Sequence, residues 1–284
     1  MHLFQAMRPA TSWQKTLYIT LVAQLITAVG FSSIFPFLPL YVQALGSHTS
    51  LSVELLAGLV FSAQAVTIAL ASPLWGALAD RYGRKMMVQR ALFGGAVIIL
   101  LMGFVRTAEE LVLLRAIQGL ITGTVAANSA LVAAATPRER TGYAMGLLQV
   151  GLWAGIALGP LIGGTLADFF GYRMAFVVTA LLLTGAGILV WLGIDEIFHP
   201  PPDKHNLKVL ADVLSGWRFL LGSPGVGLTY GLEFLSGLGR IMIVPIVPLF
   251  MQMLVADRSG LNTITGLVIS VAAAMSTMTA VYLG

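Results

Sequence analysis

The sequence predicts an all-α membrane protein, folded as a helical bundle, and three observations lead to this prediction. Of its 284 residues, 57% are hydrophobic and only 10% are charged, whereas a soluble domain is about 25% charged. The apolar residues fall into eight long stretches, and the basic residues gather between particular pairs of them. This composition excludes an ordinary soluble enzyme and a disordered chain, and the absence of cysteine excludes a scaffold held by disulfides.

Each apolar stretch is long enough to cross a bilayer as a helix, since about 20 apolar residues span the hydrocarbon core. Strands are excluded because the stretches are too long and do not alternate apolar with polar residues. The first stretch is also too long for a cleaved signal peptide. The predicted spans cover residues 17–44, 55–79, 87–105, 111–134, 142–166, 174–194, 226–254 and 262–284.

The basic residues indicate how the spans are oriented. With a cytoplasmic N-terminus, eleven of the sixteen lysines and arginines lie on the inner side, and three, Arg106, Arg173 and Arg258, lie outside. The other two, Arg115 and Arg240, lie inside spans. This asymmetry follows the positive-inside rule. The net charge of +4 therefore reflects topology, and we expect no nucleic-acid partner.

Two segments of the sequence recur further along the chain. Residues 30–40 and 239–249 share the pattern G-x5-P-x2-P-L at an offset of 209, and residues 58–62 match 266–270 at an offset of 208. These matches predict two repeated halves of six spans each. Because the second half stops after about two spans, we expect a C-terminally truncated piece of a protein of about 400 residues.

The repeat divides the chain into three predicted regions. Residues 1–194 form a complete N-terminal half of six transmembrane helices, and residues 226–284 begin the second half. Between them, residues 195–225 form a cytoplasmic linker. After the proline run at residues 200–202, its apolar residues recur at helical spacing, which predicts an amphipathic helix on the membrane surface.

The loop after the second span has the sequence G-A-L-A-D-R-Y-G-R-K, and its notable residues are Gly76, Asp80, Arg81, Gly83, Arg84 and Lys85. A basic loop between two spans could be no more than a topology signal, but that explains neither the aspartate nor the glycines. The loop resembles the signature G-x-L-A-D-R-x-G-R-K of the major facilitator superfamily. The resemblance implies a major facilitator type helical bundle. It also implies that the aspartate and arginines close a gate on the cytoplasmic side through charge-assisted contacts.

The fourth span contains the pattern R-x-x-Q-G, formed by Arg115, Gln118 and Gly119. A charge inside a span usually faces the interior of the bundle. The alternative is an arginine that extends to the outer surface, because Arg115 lies about five residues into the span. The pattern is similar to a second motif of the superfamily, which implies a role in proton coupling for the arginine and Gln118.

The fifth span carries glycines at every fourth position, followed by a proline and a double glycine. Such a ridge lets a neighbouring helix pack closely, and helix packing alone is the alternative interpretation. The pattern G-x3-G-P-x2-G-G resembles the antiporter motif of the superfamily, and G-x5-P-x2-P in the first span resembles the pattern of its drug:proton antiporters. The residues are Gly155, Gly159, Pro160, Gly163 and Gly164 in the fifth span, and Gly30, Pro36 and Pro39 in the first.

The seventh span holds Glu233 and Arg240, seven residues apart on one helix face. An acid inside a span is a candidate for binding and releasing protons, so Glu233 is the leading protonation site. The alternative is a solvated residue at the inner end of the helix. The first span departs from the pattern of many drug antiporters, because it carries Gln24 and no acid.

These resemblances together indicate a bacterial multidrug efflux antiporter with twelve spans. They imply proton-coupled export of small, amphiphilic molecules by alternating access, with the proton gradient as energy source and with no cofactor or metal. We expect a monomer in the bacterial inner membrane that has the lipid bilayer, a small-molecule substrate and protons as partners. Alternatives are uptake or facilitated diffusion of a metabolite, and a non-transporting receptor. An enzyme is not expected, because all four histidines lie outside the spans and cysteine is absent.

Overall fold

The computed structural model describes residues 12–196, 224–254 and 260–283. These residues are almost entirely helical, and five of the described helical segments are long and apolar enough to cross a membrane. The all-α prediction is confirmed. The helices are α1 (Ser12–Ser32), α2 (Leu38–Leu45), α3 (Val53–Tyr82), α4 (Arg84–Met102), α5 (Ala108–Ile121), α6 (Thr124–Ala135), α7 (Thr141–Gly193), α8 (Pro224–Ile243), α9 (Ile246–Leu254) and α10 (Leu261–Leu283).

The predicted first and seventh spans are each two helices. In the first, α1 ends at Ser32 and α2 begins at Leu38, with Pro39 in its first turn. In the seventh, the corresponding break lies between α8 and α9. Prolines near each break explain it, because a proline lacks the backbone N–H that would continue the helix. The two segments that share the repeated sequence pattern therefore also share this break.

The predicted fourth span is also interrupted near its middle. α5 ends at Ile121, and Gly123 precedes α6 with a φ of 127°. Glycine tolerates this conformation because it has no Cβ atom. The carbonyl oxygen of Leu120 beside the break accepts a hydrogen bond from Trp75 Nε1 at 2.6 Å. A side chain on α3 thus satisfies a backbone group that the broken helix leaves free.

The predicted fifth and sixth spans lie within the single helical segment α7, which has 53 residues. At about 1.5 Å per residue, a straight helix of that length would exceed twice the thickness of the hydrocarbon core. Gly171, with a φ of 81° and a ψ of 164°, breaks the helical path. It separates a first arm (residues 141–170) from a second arm (residues 172–193), in agreement with two spans.

The glycines of the first arm bring the backbone of α1 unusually close. A Cβ atom on Gly155 would lie 2.8 Å from the carbonyl oxygen of Leu25 and 2.9 Å from the backbone nitrogen of Val29. A Cβ atom on Gly163 would overlap the backbone of Ser33. The hydroxyl of Ser32 donates to the carbonyl oxygen of Gly155 at 3.1 Å. Glycines at these positions therefore allow the backbones of the two helices to pack this closely.

The first arm of α7 also packs against α10, which lies in the region predicted to begin the second half. A Cβ atom on Gly164 would overlap the backbone of Asn262, and one on Gly266 would overlap the carbonyl group of Pro160. Beside the proline, the backbone N–H of Leu161 donates to Ser270 Oγ at 3.1 Å. The predicted glycine ridge is therefore in contact with helices of both halves.

Large apolar side chains remain exposed along the outer faces of the helices, as expected where lipid covers them. Examples are Leu70, Leu181 and Leu192. The amphipathic helix predicted within residues 195–225 lies almost wholly outside the described residues, so it stays a prediction.

We expect Gly163→Ala to lower the free energy of unfolding of the complete protein by about 1–3 kcal/mol, because the added methyl group meets backbone that cannot move aside. Gly146→Ala on the same arm is the matched control, since nothing lies within 4 Å of its Cβ position. Thermal unfolding of the purified protein in detergent measures both. Equal unfolding temperatures would contradict the backbone contact with α1.

Candidate functional site

The loop between α3 and α4 makes one tight turn at Gly83, which has a φ of 97°. The Asp80 carboxylate lies 3.6 Å from the Arg84 guanidinium, and its side chain is 74% exposed. Arg81 lies over the ring of its neighbour Tyr82, 5.5 Å from the ring centroid. Among the predicted gate residues, Asp80 is exposed, Arg81, Arg84 and Lys85 are half-buried, and Gly83 is buried at the turn.

The same loop is anchored to the end of the sixth span. The two carboxylate oxygens of Glu196 accept hydrogen bonds from the backbone N–H groups of Arg84 and Lys85, at 2.9 and 2.8 Å. In return, Lys85 Nζ donates to the carbonyl oxygens of Trp191 and Ile194, at 2.9 and 2.5 Å. A carboxylate thus caps the start of α4 and an ammonium group caps the end of α7, each at the favourable end of the helix dipole.

Sequence reasoning did not identify Glu196 as part of this site. It lies more than a hundred residues from the loop, so no local spacing connects the two. The available signal was its position, because an acid directly after the sixth span falls on the same membrane side as the basic loop.

Arg115 is buried in the bundle rather than extended to the outer surface, since only 1% of it is exposed. Its Nη1 donates to Gln64 Oε1 at 2.8 Å and to Gln118 Oε1 at 3.1 Å. Gly119 lets the backbone of α3 approach, because a Cβ atom there would overlap the carbonyl oxygen of Gln64. The R-x-x-Q-G pattern thus places a cation and two amides in the interior between α3 and α5.

Part of this polar group has no hydrogen-bond partner among the described residues. Nε and Nη2 of Arg115 and Nε2 of Gln118 are buried and unpaired there. Three unpaired donors favour an acceptor such as a carboxylate, a substrate oxygen or water.

A second polar contact joins α1 to α6. The amide of Asn128 donates to Gln24 Oε1, and both side chains are buried. Gln24 lies in the first predicted span, where the resemblance would imply an acid. Here it forms a neutral amide pair, and Asn128 is the partner that the sequence did not reveal.

A cavity of about 660 Å³ opens among α1, α3, α4 and the broken fourth span. It is lined mainly by apolar atoms, with Gln64, Thr122 and Arg90 among its polar residues and Gly76 towards the gate loop. The Arg90 guanidinium lies 3.4 Å from the centroid of the Trp75 ring. Arg90, one of the eleven basic residues predicted on the inner side, thus lines this cavity.

The structure describes the remaining predicted residues in less detail. Gly30 of α1 lies against Leu183 and Thr179 of the second arm of α7. Glu233 and Arg240 belong to α8, but their side chains lie outside the described ones, so their roles stay predictions. Among the described residues, no group of three or more acids and histidines could hold a metal ion.

The Glu196→Gln substitution should destabilise the protein by about 1 kcal/mol, because it removes a charged cap from the start of α4. The neighbouring Asp195→Asn substitution is the control, since its ion pair with Lys15 is exposed and is worth less than about 0.5 kcal/mol. Thermal unfolding of the two variants compares them directly. An effect at Glu196 no larger than the effect at Asp195 would show that the cap contributes little.

Comparison with known proteins agrees with this arrangement. The family model described as Major Facilitator Superfamily matches residues 20–284. Multidrug resistance protein MdtG of Salmonella dublin is 36% identical over 274 residues, which are 96% of this chain and 67% of that protein. The protein of the same name from Yersinia enterocolitica is 34% identical over 278 residues, covering 97% of this chain and 66% of that protein.

A solved structure supports the fold independently. The human organic anion transporter MFSD10 (TETRAN) aligns with a TM-score of 0.57 at 20% identity, over 70% of this chain and 51% of that one. This chain spans about two thirds of the length of the MdtG proteins. The family match covers nearly the whole chain and includes the glycine ridge, the buried arginine and the gate loop. The chain therefore belongs to the major facilitator superfamily, whose members are multi-pass membrane transporters of small molecules and not enzymes.

Proposed function

We propose that the complete protein exports small, amphiphilic, drug-like molecules in exchange for protons. One observation carries the proposal: proteins named for multidrug resistance are 36% identical over 96% of this chain. That name describes the relatives, and we extend it to this protein because the shared region includes the cavity and the candidate gate.

The packing of the two halves supports transport by alternating access. α10 packs on the first arm of α7 at Gly164 and Gly266, so small residues form this contact between the two halves. Such smooth surfaces suit a rocking motion of one half against the other. In this mechanism a central site opens to one side of the membrane at a time.

The chemistry of the cavity supports a small amphiphilic substrate. Its volume of about 660 Å³ lies within the usual range for pockets that bind drug-sized molecules. Its apolar lining suits the apolar body of such a molecule, and Gln64, Thr122 and Arg90 offer polar contacts.

Proton coupling is assigned to Arg115 and Gln118 together with Glu233 and Arg240. The buried guanidinium of Arg115 has unpaired donors, and these would favour the charged form of an acid brought near them. Glu233 is the acid proposed to take up and release the proton. The proton gradient then supplies the energy without a cofactor.

We place the protein in the bacterial inner membrane as a monomer with its N-terminus in the cytoplasm. The distribution of lysine and arginine supports this orientation. The gate loop then faces the cytoplasm. There Asp80, Arg81 and Arg84 would close the inner side against the second half.

Export is tested by comparing cells with and without the intact gene. Cells that carry it should accumulate less of a fluorescent amphiphilic dye, and a protonophore should remove the difference. Dye accumulation that increases with the gene would favour uptake and contradict the proposed direction. An unchanged difference after the gradient collapses would contradict proton coupling.

We expect Glu233→Gln in the complete protein to reduce proton-driven export to the level of cells without the gene, because the amide cannot bind and release a proton. Glu139→Gln is the control, since Glu139 lies exposed in a short turn at the membrane surface. Dye efflux from energised vesicles, with membrane insertion checked by immunoblot, measures both. Normal proton-dependent export by Glu233→Gln would remove Glu233 from the mechanism.

A further inference from the structure

The loop between the two arms of α7 repeats the sequence of the gate loop. Residues 76–83 and residues 164–171 share the pattern G-x-L-A-D-x2-G at an offset of 88. The residue before the last glycine is aromatic in both, Tyr82 in one and Phe170 in the other. The gate loop follows the second span and its copy follows the fifth, so the two loops lie on opposite sides of the membrane.

The two loops also have the same backbone geometry. Gly83 has a φ of 97° and a ψ of 149°, and Gly171 has a φ of 81° and a ψ of 164°. The alanine before each aspartate is buried, with 9% of Ala79 and 5% of Ala167 exposed. The shared sequence therefore specifies one helix–turn–helix structure, and it presents an aspartate at the end of the first helix in each copy.

In the copy on the outer side, the aspartate contacts the second half of the protein. Asp168 Oδ1 accepts hydrogen bonds from the backbone N–H and the side-chain amide of Asn262, at 3.3 and 2.6 Å. Asp168 Oδ2 accepts from the backbone N–H and the hydroxyl of Thr263, at 2.7 and 2.6 Å. The carboxylate thus caps the first turn of α10, where the helix dipole favours negative charge.

This contact lies where the outer ends of the two halves meet. Close by, Leu40 of α2, Gln252 of α9 and Asn262 of α10 line a cavity of about 420 Å³. If the halves rock apart to open the outer side, the first turn of α10 must move away from the end of the first arm. The four hydrogen bonds of Asp168 then break, so they stabilise the closed outer side and not the open one.

We propose that Asp168 is the gate residue of the outer side and the counterpart of Asp80 on the inner side. Its bonds to Asn262 and Thr263 hold the outer entrance closed while the inner side is open. The inference rests on the alternating-access part of the proposed function. A purely structural cap, by contrast, would stabilise both states of the protein equally.

Accessibility of single cysteines in the complete protein distinguishes these roles. The 284 residues contain no cysteine, and any in the rest of the protein would be replaced by serine. Leu40→Cys reports on the outer side, because Leu40 is 5% exposed and lines the outer cavity. Ser72→Cys reports on the inner side, because Ser72 lines the cavity near the gate loop. A membrane-impermeant maleimide is applied to right-side-out and inside-out vesicles.

We expect Asp168→Asn to raise the labelling rate at the outer cysteine about fivefold or more, and to lower the rate at the inner cysteine. Thr263→Val, which removes one donor from the other half, should shift both rates in the same directions. Asp168→Glu keeps the carboxylate, so its two labelling rates should lie between those of Asp168→Asn and those of the unmodified protein. Asp80→Asn should have the opposite effect, because it weakens closure of the inner side.

Glu109→Gln is the matched control on the outer side. Glu109 Oε1 accepts hydrogen bonds from Ser47 Oγ at 2.8 Å and Thr49 Oγ1 at 2.9 Å, all within the first half. Its loss should leave both labelling rates unchanged. Unchanged rates in Asp168→Asn would overturn the gate, and faster labelling on both sides would show a structural role only.

The labelling experiment needs neither a substrate nor a proton gradient. If the protein exports no dye but Asp168→Asn shifts the two rates in opposite directions, the gate stands and the proposed substrate class is wrong. If export is intact in the unmodified protein and the rates do not respond, only the gate is wrong.

Discussion

The rest of the structure depends on the close contact between the backbone of α1 and the first arm of α7. At Gly155 the distance between the two backbones leaves no room for a side chain. Gly163, two turns further along α7, lies as close to the backbone of α1. Water provides no driving force between helices inside a bilayer, so close packing and hydrogen bonds must supply it. Because α10 packs on the same arm, one helix sets the position of both halves.

Buried polar side chains add specificity to this packing. Arg115 is held by Gln64 and Gln118 between α3 and α5, and the Gln24–Asn128 pair joins α1 to α6. A polar group without a partner is costly in hydrocarbon, so each pair favours one arrangement of its helices. The donors of Arg115 that stay unpaired mark the place where the interior can accept a further polar group.

Hydropathy and the glycine pattern were sufficient to predict the helical class and the contact face of α7, because each depends on local sequence. The break at Gly123 was not predictable, since a glycine and a threonine within an apolar run also fit a continuous helix. The cap by Glu196 was missed because it joins segments far apart in sequence. The contact of Asp168 with α10 depends on how the halves meet, which no local pattern encodes.

The contact between α1 and α7 has a consequence for biosynthesis. The hydroxyl of Ser32 and the carbonyl oxygen of Gly155 are 123 positions apart, and synthesis of that segment takes about 6–25 s at 5–20 residues per second. During that time α1 stands in the bilayer without its main partner, with Thr20, Gln24 and Ser32 on the face that is later buried. Ser32 can bond the carbonyl oxygen of Ala28 within its own helix during that time, whereas Gln24 meets its partner Asn128 only once α6 has been inserted.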